Sequence, residues 1–438
     1  MKIPGPDPRP DGGVGAIAQA GGLHAYQLWL HAEYGPVARF QLPGAETAVS
    51  VADPVLLEAT AHLDRRPERL FSFLDPLFEA GNLQVLPADE HAPWRRTLLS
   101  VLAGRPSHEQ AFDRFTALAT GLADRWAARG GAVALQQDLT ALSLRMICAY
   151  ALGGEVEGPD VVAAAFEEVL ADYLERLYQV PPAVDPRERA ERTARALALL
   201  RATVDRVIAA HRAGGRADRS DLVGALVEAG EHPARIRDTV LAAMLAAHHT
   251  TGVAVSWTLH LLGRHPEAAE RVTGELDRVL GDRAAPGYAD LRRLPYLRTV
   301  LQESMRLYPP GPYGARQTTE ALTLGAYEVP AGAVVFYPFW AVHLNPDHWP
   351  EPERFCPERF TPEQAAGRAR LAWVPFGFGP RSCEGAALAM VECELLLAVL
   401  LKRLRFRPVP GHRVVPVERF VLWAADDIRM LVGPRGAG

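Results

Sequence analysis

The chain has 438 residues, of which 48% are hydrophobic and 23% charged, and its formal net charge is -5. That length can bury a large core, and a mild acidic excess excludes nucleic acid as the principal partner, because a phosphate backbone demands a basic surface. The N-terminal stretch MKIPGPDPRPDGGVG is rich in proline and glycine where a signal peptide or anchor needs a continuous apolar run, so the expected setting is cytoplasmic, with no membrane partner.

Beyond an N-terminal arm over residues 1–20, no repeat and no long linker interrupts the chain, so one domain over residues 1–438 is the simplest partition. Short β signals come first, in VARF and TAVSV. In DEHAPWRRTLL, His91 and Arg95 are four apart and share a helical face. The clearest helix runs from about Ala234 to Gly263, with a proline just outside each end and none inside. At about 1.5 Å per residue it would be roughly 45 Å long. Its middle is apolar nearly all round, which predicts burial, so His248, His249, Thr250 and Thr251 are there either hydrogen-bonded in a core or facing a cavity.

In LPYLRTVLQESMRLYPP, Glu303 and Arg306 are three apart on a helix and close enough to pair, and Arg359, in the later segment PERF, could reach the same carboxylate. A third β signal, AVVFY, covers Ala333 to Tyr337. Last comes FGFGPRSCEG, Phe376 to Gly385. The four cysteines, Cys148, Cys356, Cys383 and Cys393, form no CxxC pair and no zinc or iron-sulfur spacing. A haem iron asks that its axial thiolate be shielded from water with backbone N–H groups aimed at the sulfur, and Gly379 and Gly385 supply turns around Cys383 that can do so. Phe376 can cover one side, and Arg381 can meet a carboxylate. The alternative is a glycine-rich loop with an incidental buried cysteine.

FGFGPRSCEG matches FxxGxRxCxG at each fixed position, and with ExxR at Glu303–Arg306 and PERF at Pro357–Phe360 in the expected order, the chain resembles the cytochrome P450 superfamily, soluble bacterial type. The resemblance covers nearly the whole chain. It implies a mainly α fold, a large helical region with a smaller β-rich region enclosing haem b, and Cys383 as the iron ligand. It further implies that Phe376 and Arg381 bind the cofactor, that His91 and Arg95 contact one haem propionate and Arg316 the other, and that Glu303, Arg306 and Arg359 form a structural triad. The implied activity inserts one oxygen atom from O2 into an apolar small molecule, with electrons from a ferredoxin and its reductase and the protein acting as a monomer.

By the same resemblance the substrate pocket draws on Phe71, Phe73 and Leu74, on Ala171 to Tyr178, on Pro310 to Tyr313, and on Leu422 and Trp423. Asp172, Glu175 and Arg176 are expected at solvent, since a charge buried without a partner is costly. A terpenoid, polyketide or aromatic peptide fits these apolar stretches, and a fatty acid is the second choice. A peroxide-driven or redox-neutral haem enzyme, or a haem protein that binds a ligand without turnover, are the other readings.

Two positions depart from the family pattern. Glu384 follows the cysteine where an apolar residue is usual. In the central helix the order Ala246, Ala247, His248, His249, Thr250 retains the threonine but puts His249 where the family has an acid. His249, titrating near neutrality, either relays protons to Thr250 or is a satisfied core residue, and a third reading has His248 or His249 bind the substrate.

Overall fold

The strand signals pair as alternation and β-branching demand. Val37–Phe40 runs antiparallel to Ala48–Val51, which pairs in parallel with Val334–Tyr337, and that strand is closed on its far side by antiparallel Gly314–Gln317. Val49, Val51, Val335 and Tyr337 are buried together with Leu57 and Val342. The computed structural model describes residues 2–42, 45, 48–153, 159–177, 184–213 and 221–435. Contacts divide the chain into two units interleaved along the sequence. One comprises Met1–Phe71, Arg298–Cys383 and Arg413–Asp426, and the other Ser72–Leu297, Glu384–His412 and Asp427–Gly438.

The first unit holds the four-stranded sheet, the hairpin of Leu322–Leu324 with Tyr327–Val329, and the hairpin of Pro416–Arg419 with Val421–Ala424. The second unit is mostly helical. Its central helix spans Pro233–Arg264, one residue longer at each end than the sequence suggests. Pro233 sits at its first turn, where a missing N–H costs nothing, and the His232 ring accepts from the Ala234 N–H. Pro266 then opens the next helix, Pro266–Leu280.

The central helix packs on Leu135–Ala151 and on Ala386–Arg403. Gly252 makes the first contact possible, because a Cβ there would lie 2.7 Å from the backbone of Leu139 and Thr140. The start of Leu135–Ala151 is held by Asp427, whose carboxylate accepts from the N–H groups of Gln136 and Gln137 at 2.8 and 2.9 Å, a favourable placement of negative charge at a helix N-terminus. Among the described residues, no helix is long and apolar enough to cross a membrane.

Candidate active site

The cysteine loop is shaped by two left-handed glycines, Gly377 at φ 67° and Gly379 at φ 68°. At Gly379 a side chain is excluded twice over, since a Cβ would also lie 2.3 Å from the Ala61 carbonyl oxygen. A 3-10 turn over Gly379–Arg381 follows, and the Cys383 N–H donates to the Phe376 carbonyl at 2.8 Å. Arg381 is buried and anchors the turn on Asp64, donating from Nε both to the side chain and, at 3.0 Å, to the backbone oxygen. Phe376 is half-buried against Trp373. Cys383 is exposed, whereas Cys148 and Cys393 are buried. Burial pushes the Cys148 thiol up to about 12 and the Cys393 thiol well above its ordinary value. Cys356 is raised too, by burial and by Glu358. Burial disfavours the thiolate at these sites, whereas Cys383 presents its thiol at the surface of the loop.

Glu303 and Arg306 lie on the last turns of the helix Pro295–Leu307, and both side chains are fully buried. The guanidinium grips the carboxylate with two bonds, Nε at 2.7 Å and a terminal nitrogen at 2.8 Å. Its other donors reach the carbonyls of His343, Pro352 and Arg354, and the Cys356 N–H donates to Glu303 at 2.8 Å. Arg359 stands off at 3.5 Å from Glu303 and donates at 2.9 Å to the Glu351 carbonyl. The motif is therefore a tight pair that pins a loop backbone, with Arg359 at its margin. Sequence reasoning missed His343, which is fully buried with its ring pushed down to about 3 by desolvation. Its Nε2 accepts from the Val374 N–H at 2.8 Å, tying that loop to the segment that leads into the cysteine turn.

His91 and Arg95 share one face of the helix Ala88–Leu102, and both turn to Glu384. Arg95 pairs with its carboxylate directly, and His91 lies 3.7 Å from it. Glu384 is thus neither loose in solvent nor an isolated charge, since its side chain is 22% exposed and neutralised by Arg95. In this structure the Arg95 guanidinium expected at a propionate holds a carboxylate of the chain itself, with the His91 ring beside it. Arg316 is buried in the strand Gly314–Gln317, and one terminal nitrogen donates to the Ala315 carbonyl at 2.7 Å.

On the central helix, the Thr250 hydroxyl donates back to the Ala246 carbonyl at 2.8 Å, and Ala246 is exposed although the helix around it is largely buried. The rings of His248 and His249 stack with centroids 4.1 Å apart. Desolvation pushes His248 down to about 3, with a smaller contribution from His249, and His249 to about 4. The expectation that His249 titrates near neutrality is corrected accordingly: both rings are neutral at pH 7. One residue on, Thr251 donates to the buried Glu392 at 3.0 Å, and burial raises that carboxyl to about 8.

Of the expected pocket segments, the Leu422 N–H donates to the Pro310 carbonyl at 2.9 Å, and Tyr313 donates to Glu418 on the neighbouring strand. Asp172, expected at solvent, is buried at 4% exposure. The expectation fails because the charge of Asp172 is not left without a partner. The side chains of Phe73, Glu175 and Arg176 lie outside the described residues, as does Tyr178.

A family model described as cytochrome P450 matches residues 4–432. Two proteins of Streptomyces melanosporofaciens are similar over part of the chain. Cyclooctat-9-en-7-ol 5-monooxygenase is 41% identical over 50% of this chain and 48% of its own length. Cyclooctatin synthase is 38% identical over 55% of this chain and 53% of its own. The matched region is about half the length of these relatives. The crystal structure of the cytochrome P450DA heme domain superposes with a TM-score of 0.87 at 22% identity, covering 99% of this chain and 98% of that one.

Proposed function

Because the chain belongs to the cytochrome P450 family, we propose that it is a monooxygenase that inserts one oxygen atom from O2 into an apolar small molecule. The observation that carries this reading is the Cys383 loop, an exposed thiol on a turn that only glycines allow, braced by Arg381 on Asp64. The residue types suit haem b: the Cys383 thiol as a soft donor for iron, and the guanidiniums of Arg95 and Arg316 and the ring of His91 for its two carboxylates. Arg95 and His91 already hold a carboxylate, that of Glu384, so this pair accepts an acid group of that shape.

Haem held by Cys383 would supply the dioxygen activation, a thiolate ligand being the kind that favours it. The chain does the rest. Gly377 and Gly379 place the Cys383 sulfur, and the Glu303–Arg306 pair fixes the segment leading to it. Thr250 holds a hydroxyl that can donate or accept beside the exposed Ala246, and His249 hands it protons while staying neutral. Electrons come from a separate ferredoxin and its reductase in the cytoplasm, and residues 1–438 act as one monomeric catalytic domain.

The substrate we favour is a terpenoid, met in the Pro310–Tyr313 turn and the Leu422–Trp423 strand, and cyclooctat-9-en-7-ol, which names one Streptomyces relative, is the first molecule to try. The test is direct. The reduced protein under carbon monoxide should give the red-shifted band of a thiolate-ligated haem, Cys383→Ala should lose it, and cyclooctat-9-en-7-ol with a surrogate ferredoxin system should give a product heavier by one oxygen. Retention of the band in Cys383→Ala would overturn the ligand assignment. A peroxide-driven reaction is the second reading, favoured by the missing acid at His249, and it predicts the same product from hydrogen peroxide with no ferredoxin.

A further inference from the structure

We propose that Glu167 and His248 form the solvent end of a proton path that runs through His249 to Thr250, an inference that rests on the monooxygenase reading above. A helix that places a stacked pair of imidazoles beside its threonine needs a source of protons, and these residues mark one. Glu167, on the helix Pro159–Leu177, has a side chain 54% exposed, with Oε1 3.9 Å from Nε2 of His248. The His248 ring is 3% exposed. It is held between the edge of Phe166, at 5.7 Å and 83°, and the face of His249, at 4.1 Å and 26°. Its Nδ1 is buried and has no hydrogen-bond partner among the described residues. His249 precedes Thr250, whose hydroxyl lies over the exposed Ala246. The series thus runs from a carboxylate in water to a sealed ring and its stacked neighbour, which directly precedes Thr250 in the chain.

The low basicity of both rings suits a conduit. With His249 at about 4, roughly one molecule in a thousand carries the extra proton at pH 7. Protons therefore pass without being stored. Each transfer moves no electrons. A hydronium ion from bulk solvent protonates the Glu167 carboxylate and leaves as water, and the carboxyl gives that proton to Nε2 of His248. The proton on Nδ1 passes to His249 once the rings turn out of their stack, and a flip of the His248 ring restores its starting tautomer. His249 in turn supplies the Thr250 hydroxyl as it gives up its own proton. Glu167 and His248 act only through His249, so they are positioning residues. The 3.9 Å gap is closed by rotation of an exposed glutamate with freely turning bonds.

The test uses the full-length, haem-loaded protein with a surrogate ferredoxin system and no added substrate. Glu167→Gln and His248→Phe should each slow NADPH consumption about tenfold and raise its solvent isotope effect in deuterium oxide. Acetate should restore the rate in Glu167→Ala and leave His248→Phe slow. Independently of turnover, nitrogen-15 shifts of the two imidazoles at pH 7 should report neutral rings, with the His248 nitrogens moving in Glu167→Gln. Glu167 is on the surface, so its variants fold, and the carbon monoxide band verifies each protein. An intact band with unchanged rate and isotope effect in both variants, or unmoved His248 shifts, would overturn the path alone. Loss of the band from the wild-type protein would overturn the monooxygenase reading.

Discussion

Arg306→Ala removes the most heavily bonded buried cation near the cysteine segment. Arg306 donates two bonds to Glu303 and one each to the carbonyls of His343, Pro352 and Arg354, at 2.9, 2.6 and 3.2 Å. Truncation leaves the Glu303 carboxylate fully buried, with one N–H at 2.8 Å and Arg359 at 3.5 Å. Breaking such a pair from one side costs about 3–5 kcal/mol, a large part of a total stability of about 5–15 kcal/mol. At tenfold per about 1.4 kcal/mol, the folded-to-unfolded ratio falls by two to four decades. Arg306→Lys keeps the charge but cannot present the fork, so its loss should be intermediate. Glu303→Met with Arg306→Met removes both charges and should cost less than the sum of the single changes, although three carbonyls still lose their donor. Urea unfolding followed by tryptophan fluorescence reads this directly, because the Trp349 ring lies 5.0 Å from the Arg306 guanidinium carbon. Unchanged midpoints in the single variants, or strict additivity in the double, would refute the buried-pair argument.

Gly379→Ala combines a φ of 68° with a Cβ 2.3 Å from the Ala61 oxygen, so it should lower haem content and the melting temperature, whereas Gly411→Ala, with φ 76° and open space, should cost only about 1–2 kcal/mol. Glu392 makes stability pH-dependent: its folded carboxyl is raised to about 8 from 4.5, so the folded state keeps a proton that the unfolded chain releases. Its contribution is full below about 4.5 and declines as pH rises towards about 8, by up to about 1.4 kcal/mol per pH unit. Unfolding free energies of Glu392→Gln across that range should lack this slope, and parallel curves would contradict it. His249→Glu places a carboxylate against the His248 ring and should raise that imidazole from about 3 by one to three units, read by nitrogen-15 titration. An unmoved His248 would mean that the stacking is absent in solution.

What was legible in the sequence is local. The central helix declared itself through two outside prolines and an apolar interior, and three strands through β-branched runs. The cysteine turn was marked by glycines in a left-handed backbone that other residues adopt only at a cost, and at Gly379 a side chain has no room as well. What was not legible depends on partners far along the chain. Nothing near Arg381 announces Asp64, 317 residues earlier, and nothing near Glu384 announces Arg95, 289 residues away. Asp172 was misplaced because a charged residue on a half-apolar helix was read without knowing what covers it.

The histidine pair shows why residue type and residue state must be separated. A sequence gives an imidazole its ordinary affinity for protons, which places His249 at the edge of neutrality. Burial then removes water from around the charged form and carries both rings down, to about 3 and about 4. The functional consequence runs against the first intuition. A group that titrates at the working pH holds a proton half the time and so leaves a charge in the site, whereas a neutral ring can take a proton on one nitrogen and release one from the other, leaving no net charge behind. In place of an acid, which would sit as an anion and need a counter-charge, the chain has two uncharged rings stacked on each other and one carboxylate kept at the water's edge, where its charge costs little.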